Sequence, residues 1–243
     1  MNKVAITGFI ITIIFFGDLL YSQSFENLTK TVKEITPDEK YYPMAKGSLL
    51  FFEAYKKAEP DKIIKVKAEI KDIEKKDEKD YFYFYAPKVD IRYLIRRDKN
   101  GVYMRVIRYP FPIFNFSIEA NIIPEVNFFK FPLKAGNKWE QKAKASAQIL
   151  FFSIERNITG KFEVVKREKI KTKVGEIDTY LIHAVVDQGD GKATVEKYWY
   201  GKGFGYVRAD TNVHFAELVG YSIIDEETGQ RYEKLPEKVN EYE

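Results

Sequence analysis

Residues 196–208 read E-K-Y-W-Y-G-K-G-F-G-Y-V-R, and the fold follows from how this stretch is read. Tyr198, Trp199 and Tyr200 favour extended backbone and carry large apolar faces. Gly201, Gly203 and Gly205 supply the positive φ or close backbone approach that a tight reversal needs. The stretch therefore predicts two aromatic strands joined by a turn. Working outward, the same rhythm recurs. Ile64, Val66, Ala68 and Ile70 alternate with Lys65, Lys67, Glu69 and Lys71, a period of two with one dry face. Residues 79–85, K-D-Y-F-Y-F-Y, are aromatic on both faces, as in a strand buried on each side or lining a cavity. Asn100-Gly101 is the strongest short hairpin signal in the chain.

Downstream of Trp139 the predicted strands cover 137–148, 149–158, 161–172, 176–186, 193–200, 205–211 and 212–224. Their predicted turns fall at Thr159-Gly160, Val174-Gly175 and Gly189-Asp190-Gly191. The charged run 71–80 reads as a solvated hairpin end, and Pro124 as a break in a strand. In all, about eleven or twelve strands with hardly a helix between them predict an all-β domain. Its expected architecture is a single large curved antiparallel sheet, a half-barrel or open barrel, because a sheet that wide must curl.

The flanks differ from this domain. Residues 1–24 hold Lys3, an apolar run from Val4 to Phe16 that Asp18 cuts short, and the small-x-small pair Ser22 and Ser24. That is the pattern of a cleaved export signal, leaving no transmembrane span in the mature chain. Leu28, Val32 and Ile35, ended by Pro37, predict a short N-terminal helix within 25–40. The β domain then occupies 41–224, and 225–243 reads as a charged, frayed tail. With no cysteine the chain has no disulfide framework and no acylated cysteine to tether it. The expected location is periplasmic or secreted.

Composition excludes several functions. Forty basic residues nearly balance 36 acidic ones, so no basic stripe for nucleic acid is expected. Two histidines and no cysteine exclude a His/Cys metal cluster and a thiol nucleophile. His183 lies among Leu181, Ile182 and Ala184 and reads as a structural histidine. Asp187, Asp190 and Gly191 lack the other ligands of a calcium loop and read as a tight turn. Arg92, Arg96, Arg97, Arg105 and Arg108 cluster on two predicted strands and read as outward arginines paired with acids. No catalytic residues, metal or cofactor are expected, and the protein is not expected to be an enzyme.

Two stretches echo one another. Residues 42–49, Y-P-M-A-K-G-S-L, resemble 131–139, F-P-L-K-A-G-N-K-W: an aromatic-Pro turn, a glycine and a strand start. Together with V-G-E-I-D-T-Y-L-I at 174–182 and the opening stretch, the second echo resembles the paired signatures of a family of exported bacterial proteins known only as a domain of unknown function. That resemblance implies a curved sheet similar to the half-barrel lipoprotein carriers LolA and LolB, whose concave face takes acyl chains. It carries no catalytic residues across.

Two functions remain open. One is a binding module for a lipid or another apolar small molecule, with Trp139, Tyr198, Trp199 and Phe204 as candidate wall residues. The alternative is a structural or protein-interaction component of the cell envelope, docking a partner through an edge or an aromatic patch.

Overall fold

The computed structural model describes residues 43–111, 116–149, 151–187, 189, 191 and 193–243. The predicted export segment and N-terminal helix lie outside the described residues. Thirteen strands form one antiparallel sheet among the described residues. They are β1 (Leu49–Lys56), β2 (Glu59–Lys76), β3 (Lys79–Ala86), β4 (Ile91–Asp98), β5 (Gly101–Phe111), β6 (Phe116–Lys130) and β7 (Lys138–Ile149). There follow β8 (Phe152–Thr172), β9 (Gly175–Asp187), β10 (Ala193–Gly201), β11 (Gly205–Asp210), β12 (His214–Ile224) and β13 (Arg231–Lys234).

Each strand pairs with the next in sequence, and β1 also pairs with β12. The expected half-barrel is corrected by that last ladder, which runs from Leu49↔Ser222 to Lys56↔His214. An open sheet would leave two long edges of unpaired N–H and C=O groups, and joining them removes both. The result is a closed twelve-stranded barrel with apolar side chains inside. β13 lies on the other edge of β12, pairing Tyr221↔Lys234 to Ile224↔Arg231.

Three further expectations are corrected. The run 71–80 is the expected hairpin end, but more of it is strand than a solvated loop would be: β2 continues to Lys76, which pairs with Lys79, and only Asp77 and Glu78 turn the chain, with φ of 51° and 64°. The charges sit on solvated strand, where alternation matters more than polarity. Thr159-Gly160 is not a turn, because β8 runs through it unbroken while the hairpin reverses between the paired Ile149 and Phe152. Finally, the tail is not frayed. Beyond β13, Val239–Tyr242 forms a 3-10 turn against the outside of β1 and β12. Tyr242 is 2% exposed, meets the Phe51 ring edge-on at 5.6 Å and donates its hydroxyl to Glu53 at 2.9 Å. Tyr242→Phe should cost about 1 kcal/mol, the usual net worth of one hydrogen bond. Urea unfolding would read this, and an unchanged midpoint would show that Glu53 is held by Lys173 alone.

The internal echo is structural. Gly47 and Gly136 have φ of 85° and 88°. Gly47 donates its N–H to Ile70 O, Ser48 to Ala45 O, and Ile70 returns a bond to Ser48 O. Gly136 bonds Val164 O, Asn137 bonds Lys134 O, and Val164 bonds Asn137 O in the same pattern. Each turn leads into a long hairpin, and the strand opposite carries a bulge directly after the bonded residue, Ile70 in β2 and Val164 in β8. Strands β1–β6 and β7–β12 thus correspond as two halves of the barrel.

Candidate functional site

If the halves correspond, two seams join them: β12 with β1, and β6 with β7. They are not equally closed. The first is a ladder of eight pairs, whereas the second stops after Ala120↔Ala147, Asn121↔Ser146, Ile122↔Ala145 and Ile123↔Lys144. Pro124 has no N–H to continue it. Opposite Arg105, β6 also bulges by several residues, the pairing jumping from Val106↔Asn121 to Met104↔Val126. Beyond this point side chains replace the ladder. Gln141 on β7 accepts from the Asn127 N–H and donates to the Asn127 carbonyl, and the Trp139 indole N–H donates to the same carbonyl at 3.2 Å.

Behind this seam lies a cavity of about 30 Å³, space for one or two waters. Phe128 and Phe129 of β6, Gln141 and Ala143 of β7, and Gly160 and Phe162 of β8 form its seam side. Glu196 and Tyr198 of β10 and Tyr206 of β11 close it from across the barrel. Gly160 is there for space, since a Cβ would come within 2.7 Å of the Phe162 ring.

Glu196 is the anomaly in this lining. It is 2% exposed, accepts the Tyr198 hydroxyl, and accepts the Thr194 hydroxyl at 3.2 Å. Burial pushes its carboxyl up to about 7, against those two hydrogen bonds, which favour the ionised form. No described basic group offsets the burial. A solitary buried carboxyl costs stability, which is why such groups concentrate at functional sites. The other half of the barrel shows what packing alone would choose. Counting back from the bulges at Leu94/Ile95 in β4 and Trp199/Tyr200 in β10, Tyr198 stands where Tyr93 stands and Glu196 where Ile91 stands.

Of the residues expected to form a binding wall, Tyr198 lines the cavity. Trp139 borders it, its ring stacked on Phe162 at 5.0 Å. Trp199 is on the opposite face of β10, bonded through its indole N–H to Glu168 at 3.0 Å with Arg208 over its ring at 5.6 Å. Phe204 does not line it: it is buried in the β10–β11 turn against Tyr221, ring centroids 5.0 Å apart. The sequence reading missed Glu196 and Gln141, although the period of two that turns Tyr198 and Tyr200 inward puts Glu196 on the same face.

The pairing expected of the arginines is found, although Arg97 follows Arg96 in β4 and so falls on the inward face with Ile95 rather than outward. Arg92 pairs with Glu119, Arg96 with Glu125 and Asp98, Arg97 with Glu226 at 2.7 Å, and Arg105 and Arg108 with Asp77 and Asp90 at 3.4 Å. Asp187 makes the expected tight turn, its carboxylate accepting from the N–H groups of Gly189 and Gly191 at 2.8 and 3.2 Å. Neither His183 nor the buried His214 lines the cavity.

No family model matches the sequence, and no curated protein does. Solved structures similar to it include a candidate lipoprotein from Parabacteroides distasonis, at 14% identity and TM-score 0.44 over 74% of this chain and 97% of that one. A candidate exported protein with a YmcC-like fold from Bacteroides fragilis is similar at 11% identity and TM-score 0.49, with the same coverage. The hypothetical lipoprotein YmcC of Escherichia coli is similar at 8% identity and TM-score 0.41, over 82% of this chain and 97% of that one. With TM-scores below 0.5, these likenesses assign nothing to this chain.

Proposed function

We propose that this chain is an exported, non-enzymatic binding barrel, which takes a small apolar molecule bearing a polar head beside Glu196, admitted between β6 and β7. The carrying observation is the buried Glu196 carboxyl facing a cavity whose outer wall is closed by side chains. An apolar pocket with one perturbed polar group is the usual form of a small-molecule site. Beyond the four pairs that end at Ile123, this seam is bridged by side chains alone, so parting it there breaks only the bonds of Gln141 and Trp139 to Asn127. The closed cavity is far smaller than the several hundred Å³ of an occupied pocket, so ligand uptake requires that parting. Export is supported by the charge, apolar run and small residues of 1–24.

Titration with the environment-sensitive probe N-phenyl-1-naphthylamine tests the site. Wild type should enhance its fluorescence, and Ala143→Leu, which fills the cavity, should weaken binding about tenfold, the worth of about 1.4 kcal/mol. Equal binding by both proteins, or none by either, would reject the interior site. The alternative role, an envelope component acting through its surface, draws on a different part of the molecule.

A further inference from the structure

The hairpin of β7 and β8 outruns its neighbour. The last pair between β8 and β9 is Thr159↔Asp187, yet β8 and β7 stay paired out to Ile149↔Phe152. Past that ladder Gly189 still lies against Arg156 and Asn157, so the segment that stands clear is Phe152 to Glu155, roughly 13 Å at about 3.3 Å per residue. On its other side β6 reaches past Ala120 to Phe116, where the β5–β6 ladder ends on Phe111↔Phe116. Two hairpins thus stand side by side at one end of the barrel.

The projecting tip is apolar where turns are ordinarily Gly, Asn, Asp or Ser. Phe151 is 93% exposed and Phe152 72%. Immediately behind them the hairpin becomes polar, with an ion pair between Lys144 and Glu155 at 2.6 Å. An aromatic cap above a charged collar matches the polarity profile of a membrane–water interface, where aromatic rings enter and charges stay in water. Area decides between occupants. Two phenylalanines offer roughly 300 Å², well short of the approximately 800 Å² per partner of a stable protein interface. A bilayer has no such minimum. The barrel wall itself carries exposed ion pairs such as Lys138–Glu163 and Lys169–Glu176 around an apolar interior, the reverse of a barrel that spans lipid.

We infer that the β7–β8 tip is a membrane-docking wedge, with Phe151 and Phe152 entering the interfacial region of a lipid bilayer while the barrel stays in water. This is independent of the interior site. Because the chain has no cysteine, Phe151→Cys and, at the opposite end, the exposed Lys99→Cys can each carry a single nitrobenzoxadiazole label. On vesicles of phosphatidylethanolamine and phosphatidylglycerol, the label at position 151 should shift to the blue and be quenched by spin-labelled lipid, and the label at position 99 should not. In flotation with the unlabelled full chain, Phe151→Ser/Phe152→Ser should lower vesicle partitioning at least about tenfold with an unchanged melting temperature. Equal quenching at both ends, no quenching at either, or partitioning indifferent to the double serine variant would overturn the inference. So would a tip that associates only with a second copy in sedimentation, or only with a protein partner.

Discussion

Glu196→Gln should flatten the pH dependence of stability, with the variant ahead of wild type by up to about 3 kcal/mol above neutrality. The carboxyl is raised from 4.5 to about 7 in the folded protein by burial. Below the lower value both folded and unfolded chains hold the proton. Between the two values the folded state keeps it and the unfolded state releases it, so wild-type stability falls as pH rises through that window. Above about 7 both states are ionised and the loss is complete. Glutamine keeps an acceptor for the Tyr198 and Thr194 hydroxyls and cannot ionise. Urea unfolding from about pH 5 to pH 8 would give converging curves at the acid end. Parallel curves would show that Glu196 is solvated and that the cavity is open to water in the resting protein.

Phe129→Ala should be among the most damaging single changes, at about 3–5 kcal/mol. Phe129 is 1% exposed. From β6 it packs ring to ring on Tyr200 of β10 and edge-on to Tyr206 of β11 at 5.2 Å. It therefore spans the barrel between the loosely bridged seam and the opposite wall. Truncation would lower the melting temperature by about 10 °C or more and merge its volume with the cavity beside Glu196. If the emptied space is apolar, the variant should regain stability in benzene or under xenon, as dry apolar cavities do. A variant that melts like wild type would mean that the two walls do not depend on this ring.

The opening stretch was readable because glycine punctuation and a period of two agreed, and β10 and β11 fall where it puts them. Closure was not readable, since nothing local in residues 49–56 says which distant edge they meet. The misplaced turn has a sharper cause. Thr159-Gly160 has turn composition and Ile149 to Phe152 does not, yet Gly160 is needed for room beside Phe162 and the true reversal lacks turn chemistry. Local rules fail where a residue answers to something other than its own backbone. The same holds at Glu196, a carboxyl on an aromatic inward face. Trp199 misled in the opposite sense: an aromatic beside two others reads as interior, but alternation sends it outward to Glu168 and Arg208.

The ladder between Leu49 and Ser222 has a temporal corollary. A chain emerging N-terminus first exposes the outer edge of β1 early and cannot satisfy it until β12 has appeared, a long-range pairing of the kind that slows folding. Such a polypeptide remains pliable and threadable through most of its synthesis, and its unsatisfied edge would recruit other nascent chains if it lingered. Closure of the barrel is therefore among the last events of folding, and both edges need cover until it happens.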